Sequence, residues 1–182
     1  MHELRKVSVS LCAALLAACS NQPSQVRAPK PVPQPAGPTA PKPIRPPLSA
    51  ADFVARAGAI DLFEIESAQL ALERSGRRTV RDFAAMEIDG HKGTSSQLAL
   101  AGRRLNLLPS RALTAEYAAK LDQLRTAPDF DAAYRRAQLT SHQQALALLQ
   151  AYAARGTSPT LRPVAAAGIP VIERHLRMLR YL

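Results

Sequence analysis

Along the last three quarters of the chain, apolar residues recur at intervals of three and four, the period of a helix with one buried face. Ser49 and Asp52 resemble a capping box ahead of Phe53, Ala57, Ile60, Phe63 and Leu70, which predicts a first helix ending near Arg74 and closed by Ser75 and Gly76. Thr79 is the expected cap of a second helix carrying Val80, Phe83, Met86, Leu98, Ala101 and Leu105 and ending before Pro109. A longer connection follows over 106–129, with a short helix from Thr114 to Leu124. Pro128 or Asp129 starts a third helix with Phe130, Tyr134, Leu139, Leu146 and Leu149, which stops at Gly156. Ser158 and Pro159 read as the cap and first-turn proline of a fourth helix that runs to the C-terminus, kinked near Gly168 and Pro170.

Two short-turn hairpins joined by one long connection predict an all-α fold, the ferritin-like four-helix bundle in which the middle helices run parallel. An up-down-up-down bundle with an ornamented loop has the same periodicity.

The first 48 residues break this pattern. Arg5 and Lys6 precede a short apolar run over 7–18, the build of a signal peptide rather than a membrane span. It ends in Leu16-Ala17-Ala18-Cys19, which resembles the bacterial lipobox, so 1–18 is the expected lipoprotein signal peptide and Cys19 the lipidation site. Ser20 resembles the default for sorting to the outer membrane, on its periplasmic face. Ten prolines over 21–48 rule out helix and sheet, leaving an extended tether over 19–48 and the four-helix domain at 49–182.

Charge refines the choice of partner. The net charge is +10, and the tether contributes Arg27, Lys30, Lys42 and Arg45 with no acidic residue. Such a segment suits phosphate-bearing lipid, an anionic envelope polymer or an acidic protein surface, as well as the membrane reached through Cys19. Aromatics make up 4% of the chain and interleave with no basic run, so nucleic acid is not the expected partner. Both cysteines, Cys12 and Cys19, precede the domain, which therefore folds without an internal disulfide.

Candidate chemistry sits on the apolar faces. His91, His142 and His175 fall on three different predicted helices, each among apolar neighbours, while helix 1 carries Glu64 and Glu66. Measured from Arg77, Glu64 lies thirteen residues back and His91 fourteen forward, which places them at one level. Measured from Thr157, His142 and His175 mismatch by about 4.5 Å. Glu64 fits better than Glu66, the second choice. Glu64, His91, His142 and His175 would suit one transition-metal ion: iron, zinc, copper, manganese or nickel. The plainer alternative is a hydrogen-bonded buried network.

Phe53-Val54, Glu64-Ile65-Glu66, Phe83-Ala84-Ala85-Met86, Asp89-Gly90-His91, the 130–134 segment, His142, Pro170 and His175 together resemble the bacterial family named domain of unknown function 4142. The resemblance covers about 50–180 and implies a ferritin-like, exported domain without an established activity. Its members commonly carry two acidic residues before the first histidine, where this chain has Asp89 and then Gly90. Ile88, Leu139 and Ile172 stand three residues before the histidines, so no Glu-x-x-His pair of the di-iron oxidases is present. No nucleophile elbow, phosphate loop or zinc-peptidase motif appears either. The expected function is a lipid-anchored envelope protein with a non-catalytic binding bundle; the alternative is a metal-binding bundle for storage, buffering or redox chemistry.

Overall fold

The computed structural model describes residues 47–182. The expected signal peptide, Cys19 and the expected tether up to residue 46 lie outside the described residues. Five helices make up the fold: α1 (Ala50–Arg74), α2 (Arg78–Arg103), α3 (Ala115–Thr126), α4 (Phe130–Arg155) and α5 (Arg162–Met178), with a short 3₁₀ turn at Leu179–Tyr181. Among the described residues none is long and apolar enough to cross a membrane.

The caps explain most boundaries. Ser49 accepts from the Asp52 N–H at 3.1 Å, Thr114 caps α3 by accepting from Tyr117, and Asp129 caps α4 by accepting from Ala132. Two expected starts shift. The α1–α2 turn needs only Ser75, Gly76 and Arg77, so α2 begins with Arg77 as its N-cap, ahead of Thr79. Ser158 does not cap α5; its hydroxyl and carbonyl close a separate turn on Leu161 and Arg162, and the helix proper starts there. α5 then continues through Gly168 and Pro170.

α2 ends earlier than Pro109 suggests, because Asn106 takes a left-handed φ of 55°. Leu107 N–H reaches back to Gly102 O and Asn106 N–H to Arg103 O, which is a Schellman closure. A Cβ on Gly102 would collide with the Leu107 carbonyl, so glycine is required where the chain folds back so closely.

The connection fixes the topology. Pro109 packs against Gly58 near the start of α1, and α3 then climbs alongside α1, stacking Tyr117 on Phe63 with ring centroids 4.9 Å apart. At its far end Arg74 donates to the carbonyls of Leu124 and Arg125 and lies over the Phe130 ring. The chain has thus returned the length of the bundle before α4 begins, so α4 runs parallel to α2 and antiparallel to α1. α1 packs against α2 and α4, and α5 against the same two. This is the ferritin-like arrangement; up-down-up-down is excluded. The core is built on Phe53, Phe63, Phe83, Tyr134, Leu148 and Tyr152, all buried.

Candidate metal centre

Four helices aim polar side chains at one point inside this apolar core. Glu64 comes from α1, Glu87 and His91 from α2, His142 from α4 and His175 from α5, and each is 0% exposed. The levels match because of where the helices begin. His142 lies thirteen residues before the end of α4 and His175 thirteen after the start of α5, so the turn ahead of Arg162 removes the expected mismatch.

Glu87 was not among the residues expected from sequence, yet it is the carboxylate at the middle. Its Oε1 lies 2.7 Å from His175 Nδ1 and 3.2 Å from His142 Nε2, and its Oε2 lies 3.6 Å from His91 Nε2. Glu64 lies on the opposite edges of the rings, 3.1 Å from His91 Nδ1 and 3.1 Å from His142 Nδ1. Glu66 is half-buried and takes no part in the cluster. One donor atom each from Glu87, His91, His142 and His175 fall within 4.8 Å of one another. Four ligands at bonds of about 2.1 Å in a tetrahedron stand about 3.4 Å apart, so the set is close to a coordination sphere.

The outer edges of two rings are fixed. His142 Nδ1 donates to the Gln138 carbonyl at 2.9 Å, and His91 Nδ1 donates to Asp61 Oδ1 at 2.9 Å. Asp61 is held in turn by the Thr94 and Ser95 hydroxyls at 3.0 and 2.9 Å. With Nδ1 committed to these acceptors, each ring turns its Nε2 towards Glu87, as metal-ligating histidines do. Inside the cluster His142 Nε2 and His175 Nδ1 hydrogen-bond at 3.2 Å, but the short distances from Glu64 and Glu87 to the rings fail as hydrogen bonds. Both oxygens of Glu64, both of Glu87, His91 Nε2 and His175 Nε2 are buried without a hydrogen-bond partner among the described residues. Carboxylate oxygens that face the rings without a hydrogen bond lack the compensation buried polar groups require, and a cation would supply it.

Gly90 gains a meaning the sequence did not give it. A Cβ there would stand 2.9 Å from His175 Cε1 and 3.1 Å from its Nε2, so the bare backbone makes room for the imidazole.

Burial works against charge throughout. It raises the Glu64 carboxyl, against the opposing pull of His142 and His91. For Glu87 burial is overcome by His142 and His175, which hold the carboxyl at about 2. Burial of His91 is outweighed by Glu64, Asp61 and Glu87, which push it up to about 10. Burial of His142 is likewise outweighed by Glu64 and Glu87, raising it, whereas His175 is lowered by burial aided by the charges of His91 and His142.

Below the cluster an apolar cavity of about 100 Å³ opens between the helices, lined by Phe53, Ile60, Leu98, Leu148 and Ile172, with Asp61 and Thr94 among its few polar members.

The fold and the cluster together define a class: an all-α ferritin-like bundle with histidines and carboxylates gathered at its core. Within that class the chain belongs to the family described as Domain of unknown function (DUF4142), whose model matches residues 33–182. Two solved structures share the fold. CopM in the Cu(II)-bound form superposes with a TM-score of 0.64 at 15% identity, over 74% of this chain and 95% of that one. A DUF305 fragment from Deinococcus radiodurans gives 0.62 at 21% identity, over 72% and 92%. No curated protein matches the sequence.

Proposed function

We propose that this domain binds a divalent transition-metal ion through Glu87, His91, His142 and His175, as a storage or buffering module of the bacterial envelope. The observation that carries this reading is the convergence of four fully buried donors whose carboxylate oxygens have no hydrogen-bond partner. Glu64 faces the outer edges of two rings and stands outside this donor set. Nitrogen and oxygen donors without a thiolate or thioether favour Cu(II), Zn(II), Fe(II) or Mn(II) over Cu(I). CopM, which shares the fold, is known in a Cu(II)-bound form, and that supports a metal in a bundle of this kind. The lipobox-like Leu16-Ala17-Ala18-Cys19 and the basic tether support a place on the envelope, held by lipid. A role for the outer faces alone, docking on an anionic polymer, lipid or protein, has no comparable geometry behind it.

The test is the metal content of the full chain, purified without a histidine tag and measured by elemental mass spectrometry. At least one equivalent is expected, and Glu87→Gln combined with His142→Ala is expected to lower the bound metal by one equivalent. At a free metal concentration a hundredfold above Kd the domain gains about 2.7 kcal/mol. That corresponds to a melting temperature roughly 10 °C higher. No bound metal after reconstitution with iron, zinc, copper and manganese overturns the proposal.

A further inference from the structure

His91 has two ring nitrogens, and each faces its own set of donors. Nε2 belongs to the group around Glu87. Nδ1 faces Asp61 Oδ1 at 2.9 Å and Glu64 Oε2 at 3.1 Å, and one donor atom each from Asp61, Glu64 and His91 lie within 4.8 Å of one another. We propose that Asp61, Glu64 and His91 form a second cation position, joined to the first through the His91 ring. This inference rests on the reading of the first site given above.

Three observations carry it. Glu64 is 0% exposed, and both of its oxygens lack a hydrogen-bond partner although they face the Nδ1 edges of two histidines. A carboxylate in that setting keeps unmet hydrogen-bonding capacity whether or not the first position is filled. Asp61 already has a support of its own, since Thr94 and Ser95 donate to Oδ2 and leave Oδ1 aimed at the ring. Finally, Asp61 is the member of the cluster that reaches outward: its side chain is 13% exposed, against 0% for Glu64 and His91. An ion arriving from solvent meets Asp61 first, so the second position lies on the way to the first.

The chemistry balances simply. With only the first position filled, Nδ1 carries a proton donated to Asp61. A second divalent cation takes the place of that proton, bonding Nδ1 and one oxygen each of Asp61 and Glu64, and the proton leaves to solvent. His91 then bridges two cations as an imidazolate. The donors, two carboxylates and one nitrogen, suit Zn(II) or Mn(II), with water completing the sphere on the Asp61 side.

The experiment is a Zn(II) count on the full chain in detergent, by equilibrium dialysis and elemental analysis, for wild type, Asp61→Asn and Glu87→Gln. Two equivalents in wild type and one in each variant is the expected result. One equivalent in wild type, or a second that survives Asp61→Asn as an adventitious ion, overturns the second position and leaves the first standing. No equivalents in wild type overturns both. Thr94→Val with Ser95→Ala keeps every carboxylate and removes both hydroxyls that hold Asp61, with only a helix-internal contact of Thr94 to the His91 carbonyl lost beside them. It is expected to weaken the second equivalent about tenfold and spare the first, as loss of a support behind a ligand does. Unchanged binding of the second equivalent in that variant counts against the proposal even where Asp61→Asn fails to fold.

Discussion

Single residues in this cluster respond to protons and to metal in opposite directions. His91 is pushed from its ordinary 6.5 up to about 10, so its protonated form stabilises the metal-free fold. That contribution is complete below about pH 6.5 and is lost as pH rises through about 10. Glu87, held down to about 2 from 4.5, contributes above pH 4.5 and loses its contribution as pH falls towards 2. Denaturant titrations of metal-free protein should therefore show stability declining from pH 7 to 10, while the apparent metal affinity rises over the same range as protons cease to compete. A flat profile in both would mean that His91 is not protonated in the folded state. Gly90→Ala is expected to weaken metal binding tenfold or more without unfolding the domain, by pushing the His175 ring aside; unaltered affinity would show that the ring finds another seat. The three histidines were legible in the sequence because each interrupts an apolar stripe. Glu87 was not, since it precedes His91 by four residues rather than the three of ferritin-type ligand pairs, and Asp61 reads as an ordinary helix-surface charge until the hairpin closes over it.

At the scale of elements, short backbone devices hold the donors in register. The Schellman closure at Gly102, Asn106 and Leu107 ends α2 and sends the chain back against α1. Gly102→Ala should cost at least about 1–3 kcal/mol through the collision with the Leu107 carbonyl. Asn106→Gly should be neutral to mildly stabilising, as glycine tolerates the left-handed backbone. Asp129→Ala removes the α4 cap and should cost about 1 kcal/mol. Chemical denaturation of the three variants checks the order, and an Asp129→Ala loss greater than that of Gly102→Ala would contradict it. Caps with side-chain oxygens, at Ser49, Thr114 and Asp129, could be read from sequence to within a residue. The α5 start could not, because Ser158 and Pro159 satisfy the same statistical pattern whether they open a helix or a preceding turn. The difference of one turn is what brings His175 level with His142.

For the whole molecule, the cluster works against stability in the metal-free state. Buried donors without partners are a standing cost, and removing one partner of a buried charged pair commonly costs 3–5 kcal/mol. Metal-free His91→Ala should therefore melt well below metal-free wild type, whereas joint replacement of Glu64, Glu87, His91, His142 and His175 by apolar residues of similar volume should melt at or above it, with metal binding abolished in both. If the joint variant is the less stable one, the cluster is a hydrogen-bonded structural network after all. The parallel run of α2 and α4 follows from the climb of α3, which sequence periodicity could suggest but not separate from the simpler alternative.

The donors also divide between the two halves of the chain: Asp61, Glu64, Glu87 and His91 stand on the α1–α2 hairpin, His142 and His175 on the α4–α5 hairpin. An ion at this centre ties together segments more than fifty residues apart in sequence, as a disulfide staple would, in a domain whose own residues include no cysteine. Such a staple ignores thiol reductants and yields to chelators. The two hairpins would then be locked or released by the supply of metal alone, whatever the redox state of their surroundings.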